Sequence, residues 1–161
     1  MNAQYVMPVH TYCLATVTTA KAIDSLKENA DAGGYRDAHP WIVGRELWMQ
    51  ARDAGLRMPL LLAVQNGNRI GFSHYAWLTE IAVLSRQLGG HESVCRFEGL
   101  KPIHPIWEAI DSVTLQPTPA QVRREELEGL HQFRFHLTPQ LLRPYAICET
   151  PAFLMAESIA S

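Results

Sequence analysis

The stretch "MPLLLAVQNGNRIGFSHYAWLTEIAVLS", residues 58–85, carries the clearest fold signal in the chain. Its apolar first part, 58–65, predicts a buried strand, and Asn66-Gly67 is typical of the tight turn between two antiparallel strands. The second arm, 71–85, is about 15 residues long, whereas most strands have about five or six. A strand of that length bends when its sheet curls into a barrel, and Gly71 offers a place for the bend. The stretch therefore predicts a strongly curved sheet.

The rest of the chain supplies further strands together with helices. The pattern predicts strands over 11–19, 93–100 and 143–150, and helices over 20–34, 39–55, 106–110 and 119–130. Pro40 suits the first position of the second helix, and Thr118 with Gln121 predicts a capping box before the last one. The strands are too many for a helical bundle and too irregularly spaced for alternating βαβ units. We predict an α+β fold: a small, curved, mostly antiparallel β-barrel with flanking helices, formed by residues 1–150 as a single domain and followed by a C-terminal tail, 151–161.

Composition and charge restrict the class of protein. The chain has 161 residues, of which 47% are hydrophobic and 19% charged, as is usual for a globular domain. The formal net charge of −2 argues against a protein that coats nucleic acid without specificity, because such binding needs many cationic contacts to phosphates. No apolar run approaches the ~20 residues that span a bilayer, and the first residues lack the regions of a signal peptide. These features predict a cytoplasmic protein without a membrane partner.

Histidines and cysteines give no sign of a metal or other cofactor. The chain has seven histidines, but no two have the spacing of metal ligands. The three cysteines lie far apart, which predicts reduced thiols rather than a disulfide framework. Cys148 lies next to Glu149, whose charge would raise the pKa of the thiol, so a buried structural cysteine is favoured over a nucleophile. We predict that the protein holds neither metal nor cofactor.

The long second arm of the hairpin carries both apolar and polar side chains. Strict alternation would place Tyr75, Trp77 and Ile81 on one face of the sheet. Phe72 and His74 would then lie on the opposite face. Neither face is purely apolar, which is expected at the open end of a barrel.

Four residues of this arm are candidates for a ligand pocket. Tyr75 and Trp77 offer rings on which a planar ligand could stack, a contact worth about 1–3 kcal/mol for a nucleobase. Ser73 and His74 offer hydrogen-bonding groups beside them. The alternative is that Tyr75 and Trp77 are core residues whose polar atoms find partners inside the protein.

Cationic and aromatic residues also alternate on the second predicted helix. Trp41, Arg45, Trp48 and Arg52 share one face, because they are spaced like successive turns of a helix. They could stack on bases and contact phosphates, or the tryptophans could pack on the sheet while the arginines extend to solvent. Arg143 precedes the last predicted strand and would reach the pocket if that strand lies beside the long arm.

The hairpin and the last strand resemble a known family. "MPLLLAVQ", a tight turn and "FSHYAWLTEIAVL" resemble the barrel hairpin of PUA-like domains, in particular their EVE and ASCH branches. The later "RPYAICETPAF" resembles a terminal strand of such a barrel, so that the resemblance covers roughly residues 58–150. It implies a curved sheet with a cleft that accepts a base, or a flipped nucleotide, against aromatic side chains.

Together these patterns predict a nucleobase- or nucleic-acid-binding module, whose partner would be DNA or RNA containing a modified base. Tyr75 and Trp77 would stack on the base, with Trp48 as a further candidate, while Ser73 and His74 would bind its edge. The predicted phosphate contacts are Arg45, Arg52 and Arg143.

Two other classes of function remain open. The first is a small hydrolase acting on a modified nucleoside or a similar amide, with His74 and Glu80 as acid and base. The second is an interaction protein without a small ligand, whose apolar tail, 151–161, docks on a second copy to form a homodimer.

Overall fold

The predicted hairpin is present, and Gly67 adopts the left-handed backbone conformation (φ 63°) that its turn requires. The computed structural model describes residues 7–28, 33–129 and 134–156. The strands are β1 (Tyr12–Thr18), β2 (Gly33–Asp37), β3 (Pro59–Asn66), β4 (Arg69–Ser85), β5 (His91–Trp107) and β6 (Ala146–Glu149). The α-helices are α1 (Ala20–Lys27), α2 (Ile42–Asp53), α3 (Pro119–Glu128) and α4 (Ala152–Met155), with short 3-10 helices at Ile110–Ser112 and Pro139–Leu142.

The six strands form one mixed sheet in the order β2-β5-β4-β3-β1-β6. Only β1 and β3 run parallel, with Leu14 opposite Leu60, and the other neighbouring strands are antiparallel. The α+β class is therefore confirmed. The closed barrel is not, because β2 and β6 are the two edges of an open sheet and do not pair with each other within the described residues.

Apolar cores cover both faces of the sheet. The first core lies under α1 and α2 and includes Leu60, Leu62, Trp41 and Trp48. The second lies under the C-terminal part of the chain, where Leu154 of α4 is fully buried. Part of the predicted tail therefore packs into its own chain, so that Leu154 is not available to a second copy. Residues 157–161 of that tail lie outside the described residues.

Irregular pairing changes the faces of β4 and corrects the predicted alternation. The register with β5 shifts between Phe72 and His74, and again near Tyr75 and Leu78. As a result Phe72 packs in the same core as Tyr75, whereas Ile81 packs in the other core with Leu78. A bulge adds a residue to one strand, which reverses the face of every later side chain.

Strands β2 and β5 differ from the prediction. β2 was not predicted, because its two glycines resemble the end of a helix, and β5 continues to Trp107 instead of ending near residue 100. β2 pairs with β5 only over 93–97, so that one edge of the later part of β5 has no strand neighbour within the described residues. Pro102 and Pro105 are tolerated there, because no hydrogen bond of a ladder is required on that edge.

Two helix starts test the capping signals. The capping box of Thr118 and Gln121 is confirmed at the start of α3. In contrast, α2 begins at Ile42 with Trp41 as its N-cap, so that Pro40 lies just outside the helix.

Candidate functional site

Ser73 and His74 lie at the first irregularity of β4 and line two adjoining clefts. The first cleft has a volume of about 530 Å³ and extends from α1 to the β3–β4 turn and the end of β5. The second cleft has a volume of about 410 Å³ and lies against the later part of β5. Besides Ser73 and His74, both clefts are lined by Lys27 and Ile106. The two sequence-predicted hydrogen-bonding residues therefore occupy the junction of two cavities.

The imidazole of His74 is held at one nitrogen and unpaired at the other. Its Nδ1 lies 2.9 Å from Ser73 Oγ, and the side chains of both residues are buried. Its Nε2 is also buried and has no hydrogen-bond partner among the described residues. A buried polar atom without a partner costs about 1–3 kcal/mol. Such a cost is recovered if a ligand supplies the missing hydrogen bond.

Burial and neighbouring charges keep His74 neutral. Desolvation lowers the pKa of His74 from its ordinary value, and the charges of Lys27 and His104 lower it further, whereas Asp24 opposes them. A neutral imidazole has one N–H donor and one acceptor nitrogen. Nε2 therefore offers a ligand either a donor or an acceptor, depending on whether Ser73 donates to Nδ1 or accepts from it.

The rim of the first cleft carries both charges and amides. Lys27 and Arg69 line it, together with the side-chain amides of Gln65 and Asn66. Arg143 is exposed and its Nη2 donates to Gln65 Oε1 at 3.1 Å, which places this predicted phosphate contact beside the same rim. The cleft thus combines hydrogen-bonding groups in its wall with cations at its edge. Its acidic residues are Asp24 and Glu108.

Trp77 does not present an open ring face. The guanidinium carbon of Arg57 lies 3.7 Å from the centre of the Trp77 ring, and Tyr75 meets the same ring edge-on at 6.1 Å. Only 6% of Trp77 is exposed. A base could stack on Trp77 only by displacing these neighbours. Trp77 is therefore a core residue, as the alternative interpretation of the sequence predicted.

Tyr75 instead lines a third cavity, which we call the aromatic groove. It has a volume of about 640 Å³, and its aromatic residues are Tyr75, Trp107 and Phe153. Trp107 and Phe153 were not among the sequence-predicted site residues, because they lie on distant segments that meet only in the folded chain. The remaining lining residues are Pro102, Ile103, His104, Pro105, Ile106, Glu108 and Ala109.

The candidates from the second predicted helix lie in a separate α2–β4 groove of about 470 Å³. Arg45, Trp48 and Arg52 line this groove on the α2 side, and Glu80 lines it on the β4 side. Trp48 is buried, and the guanidinium carbon of Arg52 lies 5.1 Å from the centre of its ring. The fold does not bring Glu80 to His74, because the five strand residues between them keep them about 20 Å apart.

The three cysteines are buried and free. Burial raises the pKa of Cys95 and of Cys148 to about 12, and it raises that of Cys13 well above its ordinary value. Thiols that stay protonated at neutral pH are poor nucleophiles. Within the described residues, no group of three or more His, Cys, Asp or Glu side chains is arranged to hold a metal ion.

Comparisons with protein-family models, with curated proteins and with solved structures find no match for this chain. Among the helices of the described ranges, none has both the length and the apolar character that crossing a membrane requires. Function is therefore inferred from the two clefts at His74 and from the grooves around them.

Proposed function

We propose that this chain binds a nucleobase, carried by DNA, RNA or a nucleoside, at the junction of the two His74 clefts. The observation that carries the proposal is the buried, unpaired Nε2 of His74, which lies in a residue that lines both cavities. A nucleobase supplies the donor or acceptor that this nitrogen lacks, because its edges display both kinds of group.

The size and the polarity of the clefts support a planar, hydrogen-bonding ligand. A volume of about 530 Å³ lies within the range of roughly 300–1,000 Å³ that is usual for small-ligand pockets. Asn66 also lines the first cleft, and its side-chain amide can both donate and accept a hydrogen bond. Lys27 and Arg69 are the cations that line this cleft, so they replace Arg45 and Arg52 as the proposed phosphate contacts.

The resemblance to PUA-like domains remains part of the proposal. It is supported by contacts of Trp41, the N-cap of α2, with residues at or next to both edge strands of the sheet. Tyr35 of β2 packs against Trp41, with 6.0 Å between the ring centres, and Trp41 stacks at 4.5 Å on Tyr145, which precedes β6. A residue that contacts both ends of the sheet favours a curved, barrel-like module with its cleft beside β4.

Fluorescence anisotropy with short single- and double-stranded DNA and RNA, with and without modified bases, tests the proposal. We expect a base preference that persists when salt is raised, and a loss of about tenfold in affinity in His74→Ala. Ser73→Ala should weaken the base preference, because it removes the hydroxyl that holds Nδ1 of His74. His91→Ala serves as a matched control, since His91 is exposed and lines neither cleft. Absence of binding at low salt for every probe would refute the proposal.

A hydrolase is the second candidate, and the short Ser73–His74 contact is the observation that favours it. With Oγ 2.9 Å from Nδ1, His74 could accept the proton of Ser73 as that oxygen attacks the amide carbonyl of a modified nucleoside or similar substrate. His74 would return the proton to the amine that leaves as the C–N bond breaks, and water would then hydrolyse the acyl-serine. This arrangement does not use Glu80. Turnover of modified nucleosides that is lost in Ser73→Ala and retained in Glu80→Gln would establish it, whereas base binding without turnover would leave the protein a binding module.

A further inference from the structure

Strand β4 has a strand neighbour on only one side in its second half, as far as the described residues show. Its pairing with β3 ends at Trp77, and one further backbone hydrogen bond on that side runs from the Leu78 N–H to the Met58 oxygen. On the other side, pairing with β5 continues to Ser85. Residues 79–85 therefore form a sheet edge, at which every second residue directs its backbone N–H and C=O away from β5. Such an edge is a template for pairing with another chain.

The α2–β4 groove opens onto this edge. Five consecutive residues of β4, 79–83, line it. Successive side chains of a strand point to opposite faces, so a run of consecutive residues lines one cavity where that cavity lies beside the edge of the strand. The opposite wall is one face of α2, formed by Arg45, Trp48, Met49 and Arg52. The groove is therefore a slot between a helix and an unpaired strand edge.

The floor of the α2–β4 groove is apolar. Trp48 and Ile81 are buried in the same core, and Met49 and Val83 are half-buried beside them. An extended segment that lies along β4 directs every second side chain toward this floor and the others toward solvent. The floor therefore favours a segment with apolar residues at alternate positions.

The cations that line the groove are exposed and weakly paired. The side chain of Arg45 makes no hydrogen bond or ion pair within the described part of the chain. Arg52 Nη2 lies 3.2 Å from Asp53 Oδ1, but both side chains are more than half exposed, and such surface pairs contribute little. Both arginines are thus available to carboxylates of a ligand.

The acidic residue of the groove does not cancel this charge. Glu80 directly precedes Ile81, whose side chain enters the core, so the Glu80 side chain projects from the opposite face of β4. There it lies across from Arg96 of β5. The α2 side of the groove keeps a net positive charge.

We propose that the α2–β4 groove binds an extended peptide segment of a partner protein, in which acidic and apolar residues alternate. The peptide adds a strand to β4 by hydrogen bonds to the backbone of 79–83. Its apolar side chains pack on Trp48 and Ile81, while its carboxylates contact Arg45 and Arg52. In strand addition, main-chain bonds give affinity and alternate side chains give specificity. The groove shares no lining residue with the two clefts of the proposed function, so this inference does not depend on it.

The chemistry of the edge favours a peptide over the other occupants. A strand edge presents both N–H donors and C=O acceptors, and a second strand satisfies both kinds of group, whereas a phosphate backbone offers acceptors alone. A second copy of the edge, 79–85, would bring a single carboxylate, that of Glu80, to two arginines. An acidic peptide matches the groove in both respects.

The test measures the binding of labelled decapeptides to the full chain by fluorescence anisotropy. The acidic probe alternates glutamate with valine, and the basic probe has lysine in place of glutamate. We expect the acidic probe to bind more tightly, and Arg45→Gln and Arg52→Gln each to weaken it by about fivefold. Arg123→Gln is the matched control, because Arg123 is likewise exposed on a helix and lies outside the groove. His74→Ala should bind the acidic probe as wild type does.

A second measurement tests the added strand itself. N-methylation of every second amide of the acidic probe should abolish binding for one of the two alternate sets and have little effect for the other, because one edge of the peptide faces β4. Amide hydrogen exchange of the wild type should slow at alternate residues of 79–85 when the acidic probe is added.

Four results would overturn the inference. These are absence of binding at low salt, equal affinity for the acidic and basic probes, equal affinity of wild type and both arginine variants, and binding that neither set of N-methyl groups affects. Slow exchange of 79–85 without peptide, increasing with protein concentration, would assign the edge to a second copy and overturn it as well. Loss of nucleobase binding alone would refute the proposed function and leave the peptide site standing.

Discussion

Arg57 covers one face of Trp77, with its guanidinium carbon 3.7 Å from the ring centre. Trp77 belongs to the core between the sheet and the C-terminal segment, and Gly99 lies against it as well. A Cβ on Gly99 would come within 3.2 Å of Trp77 Cδ1. The Trp77 ring therefore packs β4 against Arg57 and Gly99.

We accordingly expect Trp77→Ala to act on stability. Removing a buried tryptophan should lower the free energy of unfolding by about 3–5 kcal/mol, because it leaves a cavity and an uncovered guanidinium. Urea denaturation followed by circular dichroism measures this, with exposed Phe135→Ala as the control for loss of a ring. A Trp77→Ala protein with wild-type stability but no base preference would show instead that Trp77 contacts the ligand.

His74 should make the protein less stable in mild acid. Since the pKa of His74 is lowered in the folded state, the unfolded chain takes up the proton first as the pH falls. The stability contributed by the neutral form is thus complete above the ordinary pKa of about 6.5, and it is lost as the pH falls from there through the lowered pKa.

Urea denaturation between about pH 5 and pH 7.5 tests this for wild type, His74→Gln and exposed His91→Gln. Wild type and His91→Gln should lose stability on acidification more steeply than His74→Gln does. Equal slopes for all three proteins would mean that protonation of His74 is not linked to unfolding.

A side chain at Gly71 should destabilise the fold. A Cβ at this position would lie 2.7 Å from Ile106 Cγ2 and 3.1 Å from the backbone oxygen of Trp107, so that the end of β5 would have to move. We expect Gly71→Ala to reduce the free energy of unfolding by about 1–3 kcal/mol and to disturb the wall shared by the cavities. Gly34→Ala is the control, since its Cβ would meet only the Cys95 oxygen at 3.8 Å. Equal stability of the two variants would contradict the close approach.

Salt dependence should identify which cations meet phosphate. Lys27→Gln and Arg69→Gln should each weaken oligonucleotide binding and reduce the slope of log affinity against log salt by about 1, because they line the first cleft. Arg45→Gln and Arg52→Gln should leave the slope unchanged, because they line the α2–β4 groove. The opposite pattern would place the nucleic acid on α2.

Local signals in the sequence determined several elements correctly. Asn66-Gly67 identified the hairpin because a turn of that kind needs a positive φ that glycine adopts without strain. Thr118 and Gln121 identified the start of α3, since both bonds of a capping box lie within four residues. Ser73 and His74 stood out as polar residues in an apolar strand, and both line the clefts.

Only the tertiary structure decided the sheet order, the faces of β4 and the aromatic groove. The register shifts that put Phe72 in the same core as Tyr75 depend on how β4 pairs with β5. A bulge of this kind cannot be recognised from the alternation of apolar and polar residues along one strand. Trp107 and Phe153 meet Tyr75 because β5 lies beside β4 and α4 folds back onto that face. Backbone signals act within a few residues and can be predicted from sequence, whereas a cavity is formed by segments whose proximity depends on packing of the whole chain.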